Sequence, residues 1–320
     1  MFGPLGHFVS VVRRTLTVVP PHSADAREDA FPLMPVIVGA PRSGTTLLRL
    51  MLDAHPDFAI PPETGFLPAL ANTAVGPASS PAALASLMAR FPPDAPAWPD
   101  FGLDEQALAT AIATLPEVTP AGAARCFYGL YAARFGKPRW GDKTPGYAFH
   151  MPAIQRLLPE AAFIHIIRDG RDAALSLRPL WFAPGQDIST LARHWRSFVL
   201  AARSGGAVCR RYIEVRYEDL VAAPEAELRR ICAFLQLRWD HVMAAPHLRA
   251  PARLAEHRER RRMDGGLIVG REQRLRQQWR CSTPPDPSRV GVWREAMDRS
   301  MRAEFDDAAG DLLRVLGYAD

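Results

Sequence analysis

The stretch "VIVGAPRSGTTLLRLMLDAHP", residues 36–56, decides the fold of this chain. It begins with a short apolar run of β-branched residues that ends at Gly-Ala-Pro, which is typical of a buried parallel strand followed by a loop. Gly39 and Gly44 keep the spacing of the phosphate-binding loop of nucleoside triphosphatases, but Thr45 stands where that loop has its lysine. Arg42, two residues before the second glycine, supplies a cation instead. The loop is therefore predicted to hold a phosphate compound without the lysine and the magnesium ion beside it.

An amphipathic helix is expected directly after the loop. Leu47, Leu48, Met51 and Leu52 recur with helical spacing, and His55-Pro56 ends the pattern. Backbone N–H groups at the start of such a helix form a nest that holds an anion. The loop residues predicted to contact the phosphate are Arg42, Ser43, Gly44, Thr45 and Thr46.

Strands and helices continue to alternate along the chain. Residues 161–167 and 211–215 read as strands, and a helix is expected directly after the first of them. Residues 224–237 and 293–317 carry helical patterns. This alternation predicts an α/β fold in three layers, α/β/α, around a central, mainly parallel sheet that carries the phosphate-binding loop.

The whole chain, residues 1–320, is predicted to form a single domain. Three segments are expected to lie outside its regular layers. Residues 1–32 are interpreted as an N-terminal peripheral segment, and residues 67–137, rich in Ala and Pro, as a helical insertion that faces the substrate. Residues 247–290 are interpreted as a mobile segment near the active site.

Composition limits the partners. The formal net charge of +5 favours an anionic ligand but is too small to indicate a nucleic-acid partner. The arginine-rich run 258–262 is interpreted as a solvated segment. The four cysteines lack metal-ligand spacing, so neither disulfides nor a bound metal are expected. Arg13 and Arg14 interrupt the apolar N-terminus, so no stable membrane insertion is expected. A homodimer stays compatible with the sequence.

Two motifs resemble the sulfotransferases that use 3′-phosphoadenosine 5′-phosphosulfate (PAPS). "PRSGTT" (41–46) resembles the loop that binds the 5′-phosphosulfate, and "IIRDGRDAALS" (166–176) resembles the motif that binds the 3′-phosphate. The first motif with the downstream "ETGFLP" (63–68) is most similar to the tyrosylprotein sulfotransferases, while "DKTPGY" (142–147) is also similar to heparan-type carbohydrate sulfotransferases. The resemblance implies PAPS as sulfuryl donor and 3′-phosphoadenosine 5′-phosphate (PAP) as product.

The resemblance also implies roles for particular residues. Glu63 stands where the family has its catalytic base, and Arg42 and Lys143 are the candidate cations at the transferring sulfonate. Ser282 resembles a serine that donates a hydrogen bond to the sulfonate. Asp57 and His150 are the alternative bases. The residues that the resemblance assigns to the nucleotide outside the loop are Arg168, Ser176 and Tyr217, with Arg289 or Arg294 over the 3′-phosphate.

The chain also departs from the tyrosylprotein enzymes. The cysteine that precedes the glutamate in the secretory enzymes is replaced near Ile60, its partner before Lys143 is missing, and no membrane anchor is expected before the domain. These departures imply a bacterial protein of the reducing cytoplasm. They also leave the class of the hydroxyl acceptor open between a phenol or tyrosine, a carbohydrate and a small metabolite.

Two other functions stay open from the sequence. A divergent kinase would share the phosphate-binding loop, but the missing lysine and the "RDGRD" motif argue against it. A non-catalytic nucleotide-binding module would not need Glu63 and Lys143. Trp195 and Trp293 are assigned either to the adenine or to the core, and His165, inside a predicted strand, to the core.

Overall fold

The computed structural model describes residues 31–73 and 79–318. The eight strands of these residues are β1 (Met34–Val38), β2 (Phe58–Ala59), β3 (Arg139–Trp140), β4 (Asp142–Lys143), β5 (Ala161–Ile167), β6 (Tyr212–Arg216), β7 (Arg260–Arg261) and β8 (Leu267–Val269). The first seven helices are α1 (Thr45–Ala54), α2 (Leu67–Ala71), α3 (Pro81–Ala89), α4 (Glu105–Ala113), α5 (Pro120–Ala133), α6 (Met151–Leu157) and α7 (Gly170–Leu177). The later helices are α8 (Ile188–Gly206), α9 (Tyr217–Ala222), α10 (Pro224–Phe234), α11 (Ala250–Leu254), α12 (Arg271–Gln278), α13 (Trp293–Ala296) and α14 (Arg299–Val315). Single turns of 3₁₀ helix include Trp98–Asp100, Pro145–Phe149, His241–Ala244, Pro246–Leu248, Trp279–Ser282 and Pro287–Arg289.

A parallel four-stranded sheet forms the centre of the fold, in the order β4-β1-β5-β6. Val36 of β1 is paired with Asp142 of β4 on one side and with Phe163 of β5 on the other. Since the carboxyl ends of parallel strands meet at one edge, the residues that follow β1, β4, β5 and β6 come together there. This edge therefore collects the segments that carry most of the predicted site.

Helices cover the sheet on both faces. Val36 and Val38 face a large core that contains α5, α6, α8 and α14, whereas Ile37 faces a second core that contains α1, α9 and α10. Alternate residues of a strand point to opposite faces, so β1 is buried between two layers of helices. The predicted three-layer α/β/α fold with a central parallel sheet is confirmed.

The helices near the C-terminus end earlier than the patterns predict. Helix α10 stops at Phe234 instead of residue 237 because Gln236 takes a left-handed conformation with φ of 52°. The helical pattern over residues 293–317 is divided into α13 and α14 at Met297, which is extended. Asp298 then starts α14, since its carboxylate accepts the N–H of Met301.

The segments expected outside the layers are described in part. Residues 1–30, and thus nearly all of the predicted N-terminal segment, lie outside the described residues, as do 74–78 of the insertion. The described part of the insertion contains α2 to α5. None of the helices in the described ranges combines the length and the hydropathy needed to cross a bilayer. That the insertion faces the substrate stays a prediction.

Ion pairs tie the segment 247–290 to the rest of the domain. Arg253 pairs with Asp53 of α1, with nitrogen–oxygen distances of 2.7 and 2.9 Å. Arg260 and Arg274 both pair with Asp100 of the insertion, at 3.0 and 2.8 Å. The arginine-rich run is therefore not solvated throughout, because the guanidinium of Arg260 is buried against Asp100. The mobility of the segment stays a prediction.

Candidate active site

The phosphate-binding loop depends on two glycines. Gly39 has φ of 150°, and a Cβ there would lie 2.4 Å from the carbonyl oxygen of Ile166 in β5. Gly44 has φ of 96°, and a Cβ there would lie 2.5 Å from the ring of Tyr217. Between them Arg42 is left-handed, with φ of 69°. A side chain at either position would clash with β5 or with Tyr217. Glycine therefore allows the tight loop in which the backbone at the start of α1 can approach a ligand closely.

The first amides of α1 are available for an anion. The earliest hydrogen bond of the helix runs from the N–H of Leu48 to the carbonyl of Gly44, and no side chain caps the helix. The N–H groups of residues 44–47 therefore have no partner in the helix. The N–H of Ser43 donates to the carbonyl of Ala40, and its buried hydroxyl has no hydrogen-bond partner among the described residues. The contact of Ser43 with the phosphate stays a prediction.

A cavity of about 880 Å³, including space open to solvent, lies against this nest; we call it the loop cavity. Its lining includes the loop residues Arg42, Gly44, Thr45 and Thr46 together with Arg168, Ser176, Tyr217 and Arg289. Strands β5 and β6 and the 3₁₀ turn Pro287–Arg289 bring the last four residues to the loop.

Two guanidinium groups in the loop cavity lack an anionic partner that neutralises them fully. Arg42 donates to the hydroxyl of Ser176 at 3.1 Å and to the carbonyl of Gln277 at 3.4 Å. Within the described ranges no carboxylate lies within 4 Å of this guanidinium, and burial is the main reason that the pKa of Arg42 lies below its ordinary value. Arg168 donates to two backbone carbonyls and lies 3.7 Å from the buried carboxylate of Asp172, and its buried Nε has no partner. Buried cations of this kind favour an anionic ligand.

A second cavity, of about 1110 Å³ including space open to solvent, also borders the loop; we call it the Glu63 cavity. Lys143 at the end of β4 donates to Oε1 of Glu63 at 2.6 Å. Lys143 is buried, whereas 51% of the Glu63 side chain is exposed to the cavity. The remaining lining includes Pro145, Gly146, Trp181, Phe182, Phe198, His257, Arg260 and Arg274.

Neighbouring cations keep Glu63 ionised. The surrounding protein raises the pKa of its carboxyl by excluding part of the water, but the charge and hydrogen bond of Lys143 lower it, and Arg260 and Arg274 lower it further. The net pKa of Glu63 lies below the ordinary value of a glutamate. At neutral pH the carboxylate is therefore deprotonated and can accept a proton.

Buried hydrogen bonds fix the two segments that carry this pair. Asp142, next to Lys143, accepts the hydroxyls of Thr64 at 2.6 Å and of Tyr128 at 2.7 Å. The N–H of Thr64 donates to the hydroxyl of Thr144 at 3.1 Å. The residues on either side of Glu63 and Lys143 are thereby held together, which orients the two charged side chains toward each other.

The two cavities meet at the loop. Arg42, Thr45 and Thr46 line both, and so do Gln277 and Gln278 at the end of α12. A group held by the first turn of α1 is therefore accessible from the loop cavity on one side and from Glu63 and Lys143 on the other.

Some predicted residues lie away from these cavities. Ser282 and Arg294 line neither, although Cys281 and Thr283 beside Ser282 line the loop cavity. Arg294 instead lies over the ring of Trp293. Asp57 and His150, the alternative bases, are also outside both linings.

The aromatic side chains left open between adenine and the core are buried. Trp195 is 2% exposed and donates to the carbonyl of Arg168, and Trp293 packs under Arg171. His165 is a core residue as predicted, bonded to the hydroxyl of Tyr212 at 2.7 Å.

His257, Arg260 and Arg274 of the Glu63 cavity were not predicted from the sequence. They belong to a segment in which arginines are frequent, and no local pattern distinguishes those that face the cavity from those in solvent. All four cysteines carry free thiols. Within the described ranges no group of three or more His, Cys, Asp and Glu side chains is arranged to hold a metal ion.

Comparisons with known proteins agree with the motifs. The nodulation protein NoeE of Sinorhizobium fredii is 27% identical over 317 residues, which cover 90% of this chain and 66% of that protein. The protein-tyrosine sulfotransferase of Drosophila melanogaster is 29% identical over 221 residues, which cover 66% of this chain and 40% of that protein. The chain thus spans about two thirds or less of these relatives' length.

A solved structure shares the fold. The sulfotransferase domain from the curacin biosynthetic pathway superposes with a TM-score of 0.58 at 19% identity, covering 88% of this chain and 98% of that domain. A model of the sulfotransferase family matches residues 35–241, well over half of the chain, from β1 to the end of the parallel sheet and beyond. The chain therefore belongs to the sulfotransferase family.

Proposed function

We propose that this protein transfers the sulfuryl group of PAPS to a hydroxyl of an acceptor by in-line displacement. The observation that carries the proposal is the junction of the two cavities at Arg42, Thr45 and Thr46. A nucleotide in the loop cavity would present its sulfonate at this junction. An acceptor in the Glu63 cavity would approach the sulfonate from the opposite side, which is the geometry of in-line transfer.

The residues of the loop cavity fit the donor. The free amides of residues 44–47 suit the 5′-phosphate. Arg168 and Ser176, with Arg289 on the turn Pro287–Arg289, suit the 3′-phosphate. Two separate anion sites in one cavity match a nucleotide that carries phosphate at both ends of its ribose.

The chemistry follows from the charges around the junction. The acceptor oxygen forms a bond to sulfur while the bond from sulfur to the 5′-phosphate oxygen breaks, and the electron pair leaves with PAP. Glu63 accepts the proton of the acceptor hydroxyl. Arg42, which lines both cavities, stabilises the negative charge that develops on the departing oxygen, and Lys143 stabilises the negative charge on the transferring sulfonate. The ion pair of Lys143 with Glu63 must loosen as the acceptor enters, which frees both groups for these roles.

The first prediction concerns the 3′-phosphate. Arg168→Ala is expected to weaken PAP binding by about 10- to 150-fold, which corresponds to about 1.5–3 kcal/mol for charge-assisted hydrogen bonds, and to leave AMP binding nearly unchanged. Calorimetry with both nucleotides measures the difference. Arg156→Ala, an exposed arginine of α6 that lines neither cavity, serves as the control. Equal wild-type affinities for PAP and AMP would contradict the assignment.

The second prediction is that the reaction needs no metal ion. The loop lacks the lysine that works beside magnesium, and the group transferred carries less charge than a phosphoryl group. Transfer of radiolabelled sulfate from PAPS to a mixture of phenols and sugars should therefore proceed at nearly the same rate in excess EDTA. A rate that disappears and returns only with magnesium, and with ATP as donor, would favour the kinase instead.

The acceptor and the setting of the reaction are also proposals. The relatives' names point to tyrosine in proteins and to a nodulation function, so phenolic, carbohydrate and small-metabolite hydroxyls are all to be tested. The four free thiols agree with the proposed location in a reducing cytoplasm. An untargeted search for sulfated products in cells that express the protein would identify the acceptor class.

A further inference from the structure

His257 occupies the wall of the Glu63 cavity that the segment 247–290 contributes. The residue is 9% exposed, and its backbone N–H donates to the carbonyl of Leu254 at the end of α11. The proton transfer proposed above uses Glu63 and Lys143 and assigns no role to the ring of His257.

The contacts of the ring decide which nitrogen carries the proton. Nδ1 lies 3.4 Å from Nη2 of Arg274 and 3.9 Å from the carboxylate of Asp100. A guanidinium only donates hydrogen bonds, so Nδ1 must be the acceptor in this contact. The carboxylate is too far away to accept a hydrogen bond from Nδ1. The proton of the neutral ring is thus placed on Nε2.

Nothing on the protein side uses this Nε2–H. Within the described ranges Nε2 has no hydrogen-bond partner, yet it is not among the buried unpaired atoms, so it is accessible from the cavity that the ring lines. The neutral form is also the stable one. Burial lowers the pKa of His257 to about 2, and the neighbouring cations Arg274, Arg49, Lys143 and Arg260 act in the same direction.

The wall around His257 therefore offers hydrogen-bond donors. Arg260 and Arg274 stand on the same side of the cavity, and their shared carboxylate, Asp100, is 2% exposed. The cavity lining also includes the aromatic side chains of Trp181, Phe182 and Phe198. The reacting hydroxyl donates its hydrogen bond to Glu63. The donors around His257 can therefore bind a different part of the substrate.

We propose that His257 is a specificity-determining residue that donates its Nε2–H to an oxygen of the acceptor other than the reacting hydroxyl. The proposal rests on the function proposed above for the Glu63 cavity. The acceptor class it implies carries a carbonyl, ether or acidic oxygen beside an apolar body that packs on the aromatic side chains of the cavity. An imidazole in this tautomer cannot accept a proton at Nε2, so His257 is not a second base.

Two amide variants separate this role from a structural one. Asn places its oxygen near the position of Nδ1 and keeps the contact with Arg274, but it removes the donor at Nε2. Gln places an N–H near the position of Nε2 but gives up the contact with Arg274. If His257 only supports the fold, His257→Asn should be the milder change; if it contacts the acceptor, His257→Gln should be.

The measurement uses two neutral phenols of similar shape, 4-hydroxyphenylacetone and 4-isobutylphenol, which differ in a carbonyl oxygen. Their affinities for the complex with PAP give a selectivity ratio for each variant. We expect the ratio to fall about 3- to 10-fold in His257→Asn and to change less in His257→Gln, with PAP affinity and Tm unchanged in both. A ratio that falls in His257→Gln instead, or a wild-type complex that binds neither phenol, would overturn the proposal.

The tautomer is tested separately from any reaction. Spectra of ¹⁵N-labelled histidine, assigned with His257→Gln, should show a neutral Nε2–H ring for His257 from pH 5 to pH 8. A ring protonated on Nδ1, or one charged at pH 6, would overturn the subsite even if sulfate transfer is observed. Failure of the proposed function would appear differently, as absence of PAP binding and of transfer with the ring still in the expected tautomer.

Discussion

Glu63→Gln is expected to lower kcat by about 10²–10⁴ while PAP affinity changes little, because the amide keeps the shape of the side chain but cannot accept the proton of the acceptor hydroxyl. The structure supports this role through position and charge. Glu63 faces the cavity opposite the loop, and its pKa is held below the ordinary value by Lys143, Arg260 and Arg274 against the effect of burial. Steady-state kinetics with PAPS and the identified acceptor measures the change.

The matched control is Glu272→Gln. Glu272 lies on α12, and 88% of its side chain is exposed, so losing this carboxylate should leave kcat and PAP affinity as they are. Because Glu63→Gln also breaks the ion pair with Lys143, the thermal unfolding of both variants must be compared. A folded Glu63→Gln protein with full turnover would falsify the assignment of the base.

Lys143→Ala is expected to lower kcat by about 10²–10³, because a positive charge beside the transferring sulfonate is lost in the transition state. The same change should also alter the dependence of the rate on pH. Lys143 favours the ionised form of Glu63 through its charge and its hydrogen bond, so its removal raises the pKa of Glu63. The fall of kcat/KM on the acidic side should therefore occur at a higher pH than in the wild-type protein.

Lys143→Arg separates the two effects of the lysine. It restores a positive charge in a different geometry, so the acidic side of the profile should return toward the wild type while kcat recovers only in part. Measuring kcat/KM from pH 4 to pH 9 for the three proteins decides the matter. If the acidic side stays in place in Lys143→Ala, the ion pair seen here does not control the base.

Local sequence patterns were sufficient to predict secondary structure wherever the deciding contacts are between residues close together in the chain. The strand, loop and helix over residues 36–56 follow from the order of apolar, glycine and helix-forming residues, since their hydrogen bonds and φ angles are set between near neighbours. The same holds for β5 and α7, where Arg168 and Ser176 are eight residues apart on one strand–helix unit. Helix ends were predicted less well, because a single left-handed residue such as Gln236 decides them.

Contacts between distant parts of the chain needed the tertiary structure. Arg274 and His257 reach the Glu63 cavity because Asp100, more than 150 residues earlier, binds the guanidinium and the backbone around them. The spacing of charged residues in the sequence does not predict which of them form ion pairs, since the sign and number of charges are the same whether the residues are paired or solvated. Ser282 and Arg294 show the converse, because a motif-like position did not bring either side chain to a cavity.

The sequence by itself therefore determined the α/β fold and the phosphate-binding loop, and its family resemblance named Glu63 and Lys143 separately as candidate catalytic groups. The tertiary structure alone decided that two cavities share the loop, and that the wall facing Glu63 is built from arginines and a histidine held by Asp100. The physical reason is the range of the interactions. Backbone hydrogen bonds and hydrophobic periodicity act between near neighbours, whereas a cavity is the space left when elements far apart in the chain pack together.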